Sequence, residues 1–579
     1  MSALASLAVY TKHKKKRQCA KAMKARALGC LACIILWGKE MALCDLVAIS
    51  KQRTSAADAH FSVVGKTLGL RETQCIEMLI QAANIGEPSA IFNLGCCCHS
   101  GFLVPQNLQR AVQLLQTAAE LGSIGALSTL GVFNCQAGNG IETDRKKAVV
   151  FFQRVLEEGS VDGMLRLSRC YMDGYGIQQN KSQGIQLLRR AVDKVCVEAL
   201  ICLGQYLMNG DGIEQDKRKA LQLYQRAVEM GNSDAMHGLG FYCMNGDDVP
   251  LDKVKAIELY QRASDMGNTN AMFNLGLCYE KGDGVPQDER KAIELCTRAA
   301  RLGNVNAMVH LGECFSHGKG VPKDDEKAQS LYQRAADLGN TDAMFNLAFC
   351  YMNGYGVPQN KEQAIRWYQL ASGLDNPRAM LNLGLCYENG DCVEQDKRKA
   401  VVLYQRASKK GNVTATTNLA HCYMNGDGVP QNKKKAIELY QRASEMGDVR
   451  AMTNLAICYM DGDGVPQNKE RGIELSKTAA SLGSEGAMCI LGKCYLYGIG
   501  LVQDKKKAVE YFQRAANMGH SHSIYGLAVC YENGDGVSQD MTKAIELYEQ
   551  AADMGHPEAL ARLRKIDECI DEKENERRH

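Results

Sequence analysis

From residue 90 onward the apolar positions return in the same two clusters every 36 residues. With the alanine of the pattern A-M-x-N-L-x-x-C-Y as position 1, units begin at Ala90, Ala126, Gly163, Ala199, Ala235, Ala271, Ala307, Ala343, Ala379, Ala415, Ala451, Ala487 and Ser523, the second unit being one residue longer than the rest. Positions 1, 5, 8 and 12 hold Ala, Leu, Cys and Gly, which at about 100° per residue form one narrow stripe and predict a first helix. Positions 22, 25, 26 and 29 hold Ala, Leu, Tyr and Ala in K-A-I-E-L-Y-Q-R-A, the i, i+3, i+4, i+7 spacing of a second helix with one buried face. No unit carries the period-two alternation of a strand, so the chain is predicted to be all-α.

The stretches between the clusters carry helix stop and start signals. N-G-D-G-V-P supplies glycines for positive φ and a proline that fixes the chain before the next helix. Position 18 is Asn or Asp in every unit, as at Asp288, Asn360, Asp396, Asn432 and Asn468, and is predicted to cap the second helix. Glycine at position 33, for example Gly231, Gly267, Gly303 and Gly447, is placed to end it, with Val195 and Asp375 as the two exceptions. Residues 54–89 read as a degenerate further copy, because QCIEMLIQAANIGEPS from Gln74 keeps the helical phase. Residues 1–53 do not share the pattern and form a basic head, helical or disordered. The tail from Ala559 to His579 is predicted as a polar capping helix that keeps the open end of the array soluble.

Charge changes this picture little. The formal net charge is +3, and eight of the 69 basic residues lie in the first 26 positions, so the remainder is mildly acidic and offers no case for nucleic acid. The head TKHKKKRQCAKAMKAR runs into the apolar ALGCLACIILW, a signal-like order, but eleven apolar residues are too few to span a bilayer. No small-residue cleavage pattern stands before Lys39. A basic amphipathic head is the plainer reading, with a nuclear or secretory address as alternatives and no stable membrane insertion.

The 25 cysteines follow the repeat. Cys278, Cys314, Cys350, Cys386, Cys422, Cys458, Cys494 and Cys530 stand 36 apart. Equivalent atoms of stacked helices lie about 9–10 Å apart, whereas a disulfide needs Cα atoms within about 7 Å. These thiols are therefore expected to be buried, reduced packing groups in a reducing compartment, the cytoplasm. Cys30 and Cys33 form one C-x-x-C with no second pair at metal-site spacing. In Asp461–Gly472 the acidic turn puts a glycine where a calcium loop needs its twelfth-position glutamate, and a phosphate loop would need a preceding strand. No metal, cofactor or catalytic constellation is expected, and the chain is read as a non-enzyme.

The L-G-x-x-Y, G-x-G-V, K-A and terminal A-x-x-G elements over residues 90–558 resemble the Sel-1-like repeat, a relative of the tetratricopeptide repeat. The resemblance implies a right-handed α-solenoid whose first helices line a concave groove, and a protein-protein interaction scaffold or adaptor, expected here as a monomer with a protein or peptide partner. A lumenal or secreted adaptor of the membrane-protein-degradation type and a regulatory subunit of an enzyme are the alternatives. Cysteine-rich secreted members pair two cysteines per repeat, and this chain lacks that second column. The candidate contacts are the amides at position 4, Asn93, Asn274, Asn346, Asn382, Asn418 and Asn454, lying about 60° off the core stripe. They could pair with peptide groups of an extended partner or with the neighbouring repeat's backbone.

Stability in such an array is a sum over units and neighbour interfaces. Deleting one 36-residue unit, such as residues 379–414, should lower the melting temperature less than deleting its first 18 residues, which leaves a half-unit with an unmatched apolar face. Equal losses in calorimetry would contradict the modular reading.

Overall fold

The computed structural model describes residues 72–102, 104–136, 138, 142–246 and 251–578; the basic head and the first part of the degenerate copy lie outside the described residues. Helices alternate with short turns from Glu72–Asn84 to Pro557–Arg578, and among the described residues there is no strand. Nearly all are 13 residues long, as in the pair Pro377–Asn389 and Lys397–Lys409. The chain divides into two compact units, residues 1–307 and 308–579, each of which, by itself, is an α-solenoid of stacked helix pairs.

The caps explain why the helices begin and end where they do. In all thirteen repeats the position-18 side chain accepts a hydrogen bond from the backbone N–H three residues on, as Asn432 does from Lys435 at 3.0 Å. Each such cap is worth about 1 kcal/mol. At the far end of the second helix, Gly447 at φ 89° donates to Ser444 O while Asp448 N–H reaches back to Ala443 O, so two orphan carbonyls are satisfied. Val195 at φ 60° and Asp375 at φ 66° take the same left-handed conformation without being glycine. Cys392 at φ 68° likewise stands where Gly428 and Gly464 occupy the hairpin turn in other repeats.

The loop that joins the two helices of a repeat is closed by a glutamine that the sequence pattern did not single out. Gln467 Nε2 donates to Met460 O at 2.7 Å, and Gln179, Gln215, Gln359, Gln395, Gln431, Gln503 and Gln539 make the same bond seven residues back. The aspartate of the turn is also occupied. Lys433 Nζ meets Asp463 at 2.6 Å, Lys397 meets Asp427 and Lys505 meets Asp535 at 2.7 Å, each lysine opening the second helix of one repeat and each aspartate lying in the turn of the next. These pairs are half-exposed and individually weak. They account for the acidic turn as a repeat-to-repeat contact.

Packing repeats as regularly as the caps. Ala271 and Leu275 are fully buried, and Tyr404 and Tyr548 are fully enclosed by neighbouring side chains. At Gly384 an added Cβ would fall 2.5 Å from the Tyr404 ring, so the missing methyl makes room for it. Ala420 and Ala528 hold that place beside Tyr440 and Tyr548, which shows that the ring can yield to a methyl group. All eight in-phase cysteines are buried and in no disulfide, as their phase predicted. Burial pushes the thiols of Cys278, Cys350, Cys386 and Cys458 up to about 11, and those of Cys422 and Cys530 up to about 12.

Repeats are also pinned to one another by the cap of the first helix. Asn376 accepts from Ala379 N–H at 2.9 Å, while its Nδ2 donates to Asp342 of the preceding repeat at 2.9 Å. Asn268 and Asn304 do the same toward Asp234 and Asn270. An aspartate could cap but could not donate across, which gives asparagine its role here.

A β-branched residue held left-handed is strained by about 1–2 kcal/mol. Val195→Gly should therefore stabilise the protein by about 1 kcal/mol net of the added freedom of the unfolded chain, whereas Gly447→Val should cost a similar amount. Urea unfolding of the two variants would show opposite shifts of midpoint, and a common sign would contradict the argument.

Candidate functional site

The first helices present one face to the preceding repeat and another to solvent, and position 4 lies at the border. Asn454 Nδ2 donates to the Tyr440 hydroxyl at 3.5 Å, and Asn274, Asn382 and Asn418 lie near enough to the Tyr260, Tyr368 and Tyr404 hydroxyls to oppose the upward push of burial on them. The Tyr404 hydroxyl itself donates to Glu388 at 2.6 Å, and Asn274 Nδ2 sits 3.0 Å from His237 Nε2. In each pair the tyrosine belongs to the second helix of the preceding repeat, so the amide's neighbour is a buried side-chain hydroxyl rather than backbone. Burial pushes these hydroxyls up, Tyr440 to about 12. Asn93 is buried, and the other five amide side chains are half-buried, which brings the column to the edge of solvent. Asn346 stands apart: its Nδ2 is buried and has no hydrogen-bond partner.

Next to this column, one helical turn on, position 7 exposes apolar groups. Phe241 is 45 % exposed, Phe349 46 % and Ile457 42 %, with Leu277 and Leu385 half-buried at the same place. Position 7 lies well off the stripe of positions 1, 5, 8 and 12, and the sequence reading did not single it out. The signal was present, because Glu313, His421 and Lys493 occupy position 7 in other repeats, as a position outside the core allows. Amide and apolar side chains therefore lie side by side along successive first helices.

Within residues 308–579 this face opens into a groove of about 640 Å³ between residues 308–317 and the helix Thr341–Asn353. Phe349 and Tyr355 pair there with ring centroids 6.0 Å apart, and the Arg378 guanidinium lies 4.1 Å over the Phe345 ring. Among the described residues no group of three His, Cys, Asp or Glu side chains is arranged to hold a metal ion. No helix there is long and apolar enough to cross a membrane. Cys97 and Cys98 are buried and Cys96 half-buried, none of them in a disulfide; Cys30 and Cys33 lie outside the described residues.

The Sel1 repeat pattern matches thirteen consecutive segments from 88–123 to 521–556, with only a few linking residues unmatched. The chain belongs to the Sel1 repeat family. Among solved structures, this Sel1 repeat protein is similar to c5321, a protective antigen of uropathogenic Escherichia coli with the SLR fold, at 28 % identity and TM-score 0.52 over 73 % of this chain and 90 % of that one. A Sel1 repeat protein from Oxalobacter formigenes matches at 28 % identity and TM-score 0.40, covering 54 % of this chain and 90 % of its own. No curated protein matches.

A second cluster of titratable groups sits where the repeats end. His520 and His556 take the first-helix cap position that Asn376 and Asn412 hold elsewhere. His522 and His556 rings meet at 4.6 Å, His520 and His522 at 5.6 Å, and Tyr525 stacks on His556 at 4.6 Å. His556 Nδ1 accepts from Ala559 N–H at 3.4 Å, which only the neutral ring can do. Burial first, then the charge of His522, holds both His520 and His556 below the ordinary 6.5, against the opposing pull of Glu485 on His520 and Glu558 on His556. The unfolded chain thus binds protons that the folded one refuses. Stability contributed by the pair should be complete above about pH 6.5 and be lost as pH falls from there through the depressed folded values. The melting temperature should drop more between pH 7.5 and 5.0 in the parent protein than in the His520→Asn/His556→Asn variant; parallel curves would contradict it.

Proposed function

We propose that this Sel1 repeat protein is a non-enzymatic scaffold or adaptor that holds an extended segment of a partner protein along its first-helix face. The observation that carries the reading is the adjacency of two columns on that face, exposed apolar groups at Phe241, Phe349 and Ile457 beside the amides of Asn93, Asn274, Asn346, Asn382, Asn418 and Asn454. An amide that spends one donor on a tyrosine hydroxyl keeps a second donor and its carbonyl, which are the groups an extended peptide backbone pairs with. The apolar column supplies the desolvated contact that gives such interfaces their affinity. The repeated titratable groups support a binding role over a catalytic one, since burial pushes the thiols away from the thiolate that nucleophilic chemistry needs. Thiols in phase with the repeat and outside any disulfide fit a reducing compartment, and we propose the cytoplasm and a monomer.

A photo-crosslinking residue at 349 or 457, on first helices, should give partner adducts in cells. The same residue at 402 should not, because Val402, though 55 % exposed, lies on a second helix. Equal adducts from all three sites would remove the case for a dedicated face.

A further inference from the structure

We propose that the edge of residues 1–307 at which each repeat passes into the next is a docking surface, and that its occupant is the basic and apolar head of this same chain, residues 11–37. The inference uses none of the residues of the first-helix face and stands apart from that reading. Position 32, the C-cap of the second helix, is Leu121, Met230 and Met266 in three of these repeats, and Ile85 holds the same place in the degenerate copy. All four are exposed, and Ile124 and Val195 are exposed in the junctions as well. The turn does not require an apolar group there. Its backbone bonds are donated by positions 33 and 34, as at Gly267 and Asn268, and the apolar contact that accompanies such a turn joins position 34 to position 29. Large apolar side chains are therefore left facing water along one edge of this unit.

Charge selects the occupant. The seven junction segments from 84–89 to 301–306 hold ten acidic residues and two basic ones, Lys194 and Arg301. Arg154, Arg190, Arg226 and Arg262, one turn before the junctions, still leave the acids in excess. Glu120, Glu157, Asp193, Glu229 and Asp265 are each the last residue of a second helix, the end at which the helix dipole disfavours negative charge. Among the described residues none of these five forms an ion pair; Glu229 and Asp265 accept only from glutamines one turn back. The opposite edge is different, because Asp211 and Asp283 are paired there with Lys181 and Lys253, and Asp216 with Lys219. The head is the complementary piece: it carries eight basic residues within the first 26 positions, no acidic residue before Glu40, and the apolar run ALGCLACIILW over 27–37. Residues 38–71, at roughly 3.3 Å each, reach up to about 110 Å, whereas stacked repeats advance about 10 Å apiece. The tether therefore reaches the junctions of this unit, and those from Glu120 to Asp193 see the head at the highest effective concentration. Docked there, KHKKKR is withheld from other acidic surfaces, which makes the contact self-inhibitory.

The experiment treats the full chain with a zero-length carbodiimide, which joins a lysine to a carboxylate in contact with it, and maps the joined peptides by mass spectrometry. A mixture of isotopically light and heavy protein separates coupling within a chain from coupling between chains. Lys14, Lys15, Lys16, Lys21 and Lys24 are expected to couple within the chain to Glu120, Glu157, Glu158 and Asp193. The yield should fall about fivefold or more between about 0.05 and 0.5 M salt, as screening shortens the reach of exposed charges. Lys14→Glu/Lys15→Glu/Lys16→Glu, which lies outside the repeats, should lower coupling of Lys21 and Lys24 to the same carboxylates about tenfold. Leu121→Ser/Met230→Ser, at exposed sites, should lower it in the same direction. Coupling equally frequent to the exposed Glu142, Glu214 and Glu289 at the opposite edge, coupling confined to pairs of chains, yields indifferent to salt or to the substitutions, or no coupling of the head at all would each overturn the proposal.

Discussion

A pair of 13-residue helices has more apolar surface than it can bury against itself, and everything else in this protein follows from the need to place a second pair on it in phase. Tyr404 and Tyr548 are buried in the seam between helices, and the small residue opposite, Gly384 or Ala528, sets how closely the backbones approach. A change of length within either helix would slide a ring off its seat, whereas the extra residue of the second unit leaves Phe152 packed against Gly131. Asn376 ties the same joint from the polar side by capping its own helix and donating to Asp342 in the preceding repeat. The left-handed turn at position 33 is fixed by this geometry rather than by glycine, since Val195 and Asp375 adopt it at the expense of strain.

Because the repeat interface consumes the repeating side chains, repeated chemistry in this chain is structural. The acidic turn aspartates answer lysines, the position-17 glutamines close loops, and the in-phase thiols are held protonated by burial. Specific chemistry has to come from departures from the period. One such departure coincides with an unusual physical state: His520 and His556 replace asparagine caps with imidazoles that burial holds below their ordinary pKa.

The 36-residue period, the helix pairs, their caps and the burial of the cysteine column were all legible in the chain, because each depends on residues a few positions apart and recurs from unit to unit. Val195 and Asp375 could be marked as exceptions, but their left-handed φ became visible only once the following helix was seen to start in register. The partners of the position-4 amides were not legible. Asn346 and Asn454 look alike in sequence, yet Asn454 reaches the Tyr440 hydroxyl while Asn346 Nδ2 is buried without a partner, a difference made through space between repeats. The outward direction of position 7 could be read from the period, but that Phe241, Phe349 and Ile457 stay exposed depends on whether a neighbouring helix reaches far enough to cover them. Local interactions set the units, and only their stacking decided which identical-looking side chains were covered.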